Sequence, residues 1–260
     1  MPPHAFPGKV EHYLRGTSPP RLVIICEHAA NALPHDRPEL GGDLGIPAET
    51  QASHAAWDIG ALGLARGLAQ RLRAETGAVL VHAPLSRLVY DLNRAPDHPA
   101  AMPERSEIHE IPGNRALSAA QRLARVQAVY RPFHATLSDV VAGILAQGMR
   151  PALIAVHSFT PVFHGQPRAV EFGVIHDEDS ALSLAVMAAA QGCGLETRLN
   201  APYSAAGDVT HTIRLHAVPC RLPNTMLEIR NDLITDPPAQ AAMAERLAPI
   251  LAQALVAAGA

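Results

Sequence analysis

Short apolar runs alternate with longer amphipathic stretches along the chain, and this alternation sets the predicted order of strands and helices. Apolar, β-branched runs bounded by polar or turn residues predict buried strands at about 21–27, 78–83, 152–157, 170–176, 195–199 and 225–230. Apolar positions at helical spacing predict helices from a Ser53 cap to about 74, from Ser118 to about 147, from Asp179 to about 190, and over about 237–257. Strands that alternate with helices indicate an α/β protein, a three-layer α/β/α sandwich around a mostly parallel, mixed sheet.

The pattern also predicts how the chain is divided. We find no repeat, low-complexity tract or linker, so we expect a single domain over residues 1–260. Residues 1–20 are rich in proline and are expected to form an irregular lead-in. The second predicted helix, from Ser118 to about 147, is expected to bend at Pro132, which cannot donate a helical hydrogen bond. Residues 209–216 carry two histidines and are not placed by the pattern.

The composition of the chain argues against some classes of binding partner. The formal net charge is -3, 17% of residues are charged, and no basic block stands out, which argues against nucleic acid or an anionic membrane as the main partner. No apolar run approaches the roughly 20 residues of a membrane span, and no secretory pattern is present. The three cysteines lack CxxC spacing and are typical of reduced thiols, so we expect a cytoplasmic protein.

Ionisable residues stand where predicted strands end. Glu27 and His28 follow the first strand, His157 ends the third, and the last strand carries Glu228. Asp58 lies on the same side of the sheet, and ligands of open α/β sheets bind beyond the carboxyl ends of the strands. Two histidines and a carboxylate suffice for a catalytic zinc site that keeps one position open. A further glutamate, held off the metal, could act as a general base.

These residues also have plain structural interpretations. His28 and His157 could be structural histidines, and Asp58 could be a solvated carboxylate in the first turn of a helix. His54, one turn before Asp58, could face the site or the solvent. Glu27 is a second candidate for the acidic ligand, although regular pleating would turn it away from His28. A serine hydrolase and a dinucleotide-binding protein are disfavoured, because neither GxSxG nor GxGxxG occurs at the expected place.

Five segments, in order along the chain, together resemble the N-formylglutamate amidohydrolase family. They are residues 26–34 (CEHAANALP), 54–60 (HAAWDIG), 86–94 (SRLVYDLNR), 157–161 (HSFTP) and 228–231 (EIRN). The resemblance extends from about residue 21 to 235. It implies the phosphorylase/hydrolase-like α/β/α fold of zinc carboxypeptidases and cell-wall amidases, and an amide hydrolase that uses one Zn²⁺ per chain.

The resemblance also implies roles for individual residues. The metal ligands would be His28, Asp58 and His157, with Glu228 as the base. Asn93 and Arg94, in a segment like the Asp-x-Asn-Arg element of related deacylases, would hold a substrate carboxylate, as guanidinium geometry favours. Candidates for the remaining roles are Arg87, for a second carboxylate or the oxyanion, His216, for the oxyanion, and His54, for substrate binding. The roles of His211 and His216 stay open.

The implied substrate is a small anionic N-acyl amino acid. The family's namesake reaction converts N-formyl-L-glutamate to formate and L-glutamate, a step of histidine degradation. Two alternatives remain at this point. The same zinc chemistry could remove another acyl group or cleave another small amide, or the chain could be a metal-free binding or regulatory protein with this fold. The sequence does not indicate the oligomeric state.

Overall fold

A mixed sheet of seven strands forms the centre of the protein, which a computed structural model describes over residues 5–260. The strands are β1 (Lys9–Tyr13), β2 (Leu22–Cys26), β3 (Ala78–His82), β4 (Ala152–Phe159), β5 (Phe172–Ile175), β6 (Thr197–Leu199) and β7 (Asn224–Arg230). Their spatial order is β1-β3-β2-β4-β7-β5-β6. Neighbouring strands are parallel except for two antiparallel pairs, β1 with β3 and β5 with β7. The predicted α/β class with a mostly parallel, mixed sheet is confirmed.

The helices cover both faces of this sheet. They are α1 (Ala48–Ala52), α2 (Ala61–Thr76), α3 (Ala119–Arg125), α4 (Arg131–Ala146), α5 (Ala181–Ala189), α6 (His211–His216) and α7 (Pro237–Ala257). Helix α7 packs against α2 and α5, whereas α4 contacts β3 and α6 contacts β7. Every residue of β2, β3 and β4 is buried, as expected for parallel strands with both faces covered. None of the helices within residues 5–260 is long and apolar enough to cross a membrane.

The predicted start of a helix at Ser53 is wrong. Ser53 instead ends the short helix α1, and its hydroxyl donates to the carbonyl of Thr50 at 2.8 Å. Helix α2 begins only at Ala61, after Gly60 with φ of 81°, a conformation that favours glycine. Asp58 therefore lies in the loop between the two helices. Gly77, also with positive φ, ends α2 as predicted.

The helix predicted from Ser118 is confirmed. Its regular α-helical hydrogen bonding is interrupted just before Pro132, where the bend is predicted. Ser118 and Gln121 form the expected capping box at the start of α3. A π-helical turn, Val126–Tyr130, then joins α3 to α4. Because Pro132 has no N–H, the carbonyl of Ala128 loses its helical partner. It accepts a hydrogen bond from the backbone N–H of Phe6 at 2.7 Å instead.

The lead-in expected over residues 1–20 is not irregular throughout. Residues 9–13 form the edge strand β1, with Lys9 opposite His82 and Tyr13 opposite Ala78. This strand covers the otherwise open edge of β3, which the sequence alone does not identify as an edge. The first four residues of the predicted lead-in lie outside the described part of the chain. Residues 211–216, unplaced by the pattern, form α6.

Candidate active site

Three adjacent parallel strands bring the predicted residues to one edge of the sheet. Strand β2 leads into Glu27 and His28, β4 carries His157, and β7 carries Glu228. His157 and Glu228 are register partners, so their side chains leave the sheet side by side. The carboxyl ends of β2, β4 and β7 therefore form the base of a common site, as the strand-end argument predicts.

Asp58 is held at this site from the loop that precedes α2. Its backbone N–H donates to the carbonyl of His28 at 2.9 Å, and its Oδ2 lies 3.3 Å from the backbone nitrogen of Ser158. The residue is only 1% exposed. This burial contradicts the alternative of a solvated helix carboxylate, and it places Asp58 between the ends of β2 and β4.

His28, Asp58 and His157 form a compact group of metal-ligating atoms. Asp58 Oδ2 lies 3.3 Å from His28 Nδ1 and 2.9 Å from His157 Nδ1. One ligand atom from each residue can be chosen so that all lie within 4.8 Å of one another. With metal–ligand bonds of 2.0–2.1 Å, ligand atoms of a tetrahedral zinc site stand about 3.3 Å apart. The chemistry and spacing of these three residues therefore fit a zinc ion.

A carboxylate oxygen lies close to the other nitrogen of each ring. Asp91 Oδ1 lies 2.7 Å from His28 Nε2, and Glu27 Oε2 lies 3.3 Å from His157 Nε2. Metal-ligating histidines commonly donate their second N–H to a carboxylate, which fixes the ring and raises its basicity. Glu27 therefore lies behind His157, and this favours Asp58 over Glu27 as the acidic ligand. Asp91 therefore has a hydrogen-bonding role inside the protein, on the far side of the His28 ring.

The buried charges of the site stabilise one another. Burial would raise the pKa of Asp58, but His28, His157 and Arg87 outweigh it and hold that pKa well below its usual value. Burial would lower the pKa of His157, but the carboxylates of Glu27 and Asp58 raise it well above its usual value. The carboxyl of Asp58 is accordingly ionised and available as an anionic ligand.

Arg87 is engaged by the site's own carboxylates. One of its terminal nitrogens donates to Asp58 Oδ1 at 2.8 Å, and the other lies 3.9 Å from Asp91 Oδ2. Asp58 is therefore gripped on Oδ1 by Arg87 while Oδ2 faces the two histidines. Arg87 also lines the cavity, so it stays a candidate for the oxyanion. It is less suited to a second substrate carboxylate, because two acidic groups already balance its charge.

Glu228 offers a free acceptor atom to the site. It is buried, and its Oε2 makes no hydrogen bond within residues 5–260. Burial raises the pKa of Glu228 to about 7. A carboxyl with a pKa near the working pH, beside the ligand group but outside it, suits a general base.

A cavity of about 320 Å³ opens over these groups. Its lining includes all the predicted site residues except His216, namely His28, His54, Asp58, Arg87, Asn93, Arg94, His157 and Glu228. His54 lies on this wall, with Nδ1 at 3.8 Å from Asp58 Oδ1. Burial lowers the pKa of His54 to about 4, so its ring is neutral at pH 7.

Asn93 and Arg94 line the cavity, but the side chain of Asn93 is already engaged. Its amide nitrogen donates to the carbonyl of Val209 at 2.5 Å, and its oxygen accepts from the N–H of Thr212 at 3.0 Å. In this conformation Asn93 joins its loop to α6 rather than presenting its amide to a substrate. Arg94 donates to the carbonyls of Asn93 and Asp208, and its Nε has no partner in the described chain.

His216 is not brought to the cavity, which contradicts its predicted position at the oxyanion. Its Nε2 lies 2.8 Å from His134 Nδ1, and the two rings stack with centroids 5.1 Å apart. His211 lies nearby and hydrogen bonds to the hydroxyl of Tyr130 at 2.9 Å. Because α6 packs on α4, these rings face helix α4. The positions of these histidines depend on the packing of α6 against α4, which the sequence of residues 209–216 does not predict.

Sequence reasoning missed the residues that close the cavity. A two-stranded hairpin (Val162–Phe163 with Gln166–Pro167) contributes Phe163, and the segment after β6 contributes Tyr203. A second hairpin contributes residues 105–107. These segments are irregular and carry no periodic pattern, so only the presence of a polar or aromatic residue near a strand end could have drawn attention to them.

Comparisons with known proteins identify the family of the chain and support its fold. The family model described as FGase, N-formylglutamate amidohydrolase, matches residues 20–235. A solved structure of a gene product from Agrobacterium tumefaciens is 44% identical, with a TM-score of 0.90, covering 98% of this chain and 97% of that chain. The structure of N-formylglutamate amidohydrolase from Ralstonia eutropha JMP134 is 20% identical, with a TM-score of 0.62, covering 95% and 96%, and shares the fold. No curated protein matches the chain.

Proposed function

The chain belongs to the N-formylglutamate amidohydrolase family, and on this premise we propose that it hydrolyses the amide bond of N-formyl-L-glutamate to give formate and L-glutamate. The observation that carries the proposal is the arrangement of His28, Asp58, His157 and Glu228 in one buried group at the floor of a cavity. The cavity also offers guanidinium groups, which suit an anionic substrate.

In this proposal His28, Asp58 and His157 hold one zinc ion. Asp91 and Glu27 orient the two rings, and Arg87 fixes the free oxygen of Asp58. When bound, zinc supplies Lewis acidity, which activates water and polarises a carbonyl group. With both rings neutral, as ligation of a metal requires, the carboxylates of Glu27, Asp58 and Asp91 outnumber the single guanidinium of Arg87, and the resulting negative charge favours binding of a cation.

Glu228 is the proposed general base. Its unpartnered Oε2 accepts a proton from the water molecule that attacks the formyl carbon. As the C–N bond breaks, Glu228 returns that proton to the departing amine, so the overall reaction consumes one water. Arg87 is placed to stabilise negative charge that develops on the formyl oxygen. Arg94, with its unpartnered Nε, is the proposed partner of the substrate's α-carboxylate.

A screen of formate release tests this function. Zinc-loaded protein is incubated with N-formyl derivatives of glutamate, glutamine, aspartate and methionine, and with N-acetyl-L-glutamate, and formate or free amine is quantified. We expect N-formyl-L-glutamate to be the best substrate. Preferential release of acetate would favour the deacylase alternative, and hydrolysis of none of these amides by zinc-loaded protein would contradict the proposal.

A further inference from the structure

Arg168 lies beside the cavity in an aromatic enclosure. Its guanidinium carbon is 4.3 Å from the ring centroid of Phe163, 5.1 Å from that of Tyr203 and 5.5 Å from that of Phe159. One terminal nitrogen donates to the hydroxyl of Tyr203 at 3.0 Å. Phe163 and Tyr203 both line the cavity, so the half-buried guanidinium lies against two lining side chains, although Arg168 is not itself part of the lining.

The charge of Arg168 has no acidic partner. No Asp or Glu of the described residues has a carboxylate oxygen within 4.0 Å of its guanidinium nitrogens. Of the arginines that line the cavity, Arg87 is balanced by Asp58 and Asp91, and Arg105 lies 3.6 Å from Glu110. Arg94 contacts backbone carbonyls. Arg94, which lines the cavity, and Arg168, which packs on two of its lining side chains, therefore have no carboxylate of the described residues within 4.0 Å and could each bind an external anion.

The aromatic enclosure holds Arg168 in place without neutralising it. Rings attract a guanidinium through their negative faces, and the Tyr203 hydroxyl uses only one of its five N–H groups. A guanidinium that is ordered beforehand loses less entropy when it binds a carboxylate. The neighbours of Arg168 therefore order its guanidinium but leave its charge free to bind a carboxylate. An adjacent Asp or Glu would have neutralised that charge.

We propose that Arg168 binds the side-chain carboxylate of the substrate and thereby selects N-formyl amino acids with an acidic side chain. This inference rests on the proposed hydrolysis, in which Arg94 takes the α-carboxylate. The two guanidinium groups have different neighbours. Arg94 adjoins Asp208, whereas Arg168 adjoins Tyr203 and contributes to the electrostatic field at His54.

Binding measured without turnover tests the inference directly. Zinc-loaded Glu228→Gln protein is titrated calorimetrically with N-formyl-L-glutamate and with N-formyl-L-glutamine, which has nearly the same shape but no side-chain charge. We expect a preference for the glutamate derivative of about 10- to 100-fold, the range of a charge-assisted hydrogen bond. Adding Arg168→Met should bring the ratio of the two dissociation constants close to one. Adding Arg198→Met, on the exposed edge of β6, should leave the ratio as it was.

Two further variants separate selectivity from a merely structural role. Arg168→Lys should keep part of the preference, and Tyr203→Phe should lower it while the ring contact remains. Arg168→Met that weakens both ligands equally, or leaves the preference intact, would overturn the inference, as would loss of the preference on Arg105→Met instead. Equal affinity of the parent protein for both ligands would also overturn it. If the parent protein hydrolysed N-formyl-L-glutamate and N-formyl-L-glutamine with equal kcat/KM, the inference about Arg168 would be overturned, but the proposed hydrolysis would still hold.

Discussion

Asp91 Oδ1 lies 2.7 Å from His28 Nε2, while Nδ1 of the same ring faces Asp58 at 3.3 Å. The ring is thus held between two carboxylates, one on each nitrogen. Asp91 also accepts a hydrogen bond from the backbone N–H of Asn93 at 2.9 Å, which fixes the carboxylate itself. The loop after β3 therefore determines the orientation of a residue that follows β2.

We predict that Asp91→Asn weakens zinc binding by about 10- to 100-fold, the usual cost of losing such a partner of a metal-ligating histidine. The amide keeps the size of the side chain but removes its charge. Competition with a chromophoric chelator measures the affinity. Asp139→Asn, on the exposed face of α4, is the matched control and should leave the affinity unchanged. Equal affinities for Asp91→Asn and the parent protein would mean that Asp91 does not orient a ligand.

Zinc should also stabilise the folded protein, because the unfolded chain lacks the assembled site. Stabilisation is about 2.7 kcal/mol at 100 times the dissociation constant, which corresponds to a shift in Tm of roughly 5–10 °C for a chain of this size. Thermal unfolding with added zinc and with EDTA measures this shift. Asp58→Asn should greatly reduce the shift. A shift of the same size in that variant would place the stabilising zinc elsewhere.

The ion pair between Glu11 of edge strand β1 and Arg66 of α2 should stabilise the protein by an amount that depends on pH. Arg66 donates to both carboxylate oxygens of Glu11, and this hydrogen bonding lowers the pKa of Glu11 from 4.5 to about 2. Since the folded-state pKa is the lower one, the stabilisation is complete above about pH 5 and is lost as the pH falls toward 2. The difference in unfolding free energy between the parent protein and Glu11→Gln, measured with urea, should therefore shrink over this range.

The exposed Glu178 provides the control for the substitution itself. At pH 7, Glu178→Gln should change the free energy of unfolding by under about 0.5 kcal/mol. A Glu11→Gln difference that stayed constant as the pH falls would show that the ion pair with Arg66 contributes nothing that depends on the charge of Glu11.

Arg125 should be a major contributor to stability although it lies outside the cavity. It is 1% exposed and donates to the carbonyls of Val89 and Gly113 and to the side-chain oxygen of Asn114. Arg125→Met would leave these acceptors without a donor, and we expect a loss of about 3 kcal/mol or more, at 1–3 kcal/mol for each unsatisfied buried group. Urea unfolding measures it, and the exposed Arg131→Met should change stability by under about 0.5 kcal/mol. A similar small change for Arg125→Met would contradict this role.

The sequence predicts the sheet and the site's floor because both depend on local patterns. Apolar runs that end in His28, His157 and Glu228 identify buried strands with polar ends, and parallel strands must bring those ends together. The family resemblance adds the assignment of roles to this geometry, and the fold and family predictions are confirmed.

The errors arise where tertiary contacts override local preference. Serine commonly begins a helix, but the hydroxyl of Ser53 instead donates to the carbonyl of Thr50 at the end of the preceding helix, α1. His216 is predicted near the oxyanion, but its ring stacks on His134 of α4. Asn93, which the resemblance implies as a substrate-binding residue, lines the cavity as predicted, although its side chain also hydrogen bonds to the N–H of Thr212 in α6. The sequence does not single out Arg168, because its neighbours Phe163 and Tyr203 are 40 residues apart and meet only in the folded chain.

The most direct test of the account measures zinc content and formate release together, in the parent protein and in Glu228→Gln. We predict about one zinc per chain in both proteins and stoichiometric formate and L-glutamate from N-formyl-L-glutamate with the parent protein. Turnover should fall by about 10²- to 10⁴-fold in Glu228→Gln, the range for loss of a general base. Near-normal turnover by zinc-loaded Glu228→Gln, or no formate from the zinc-loaded parent protein, would contradict the account.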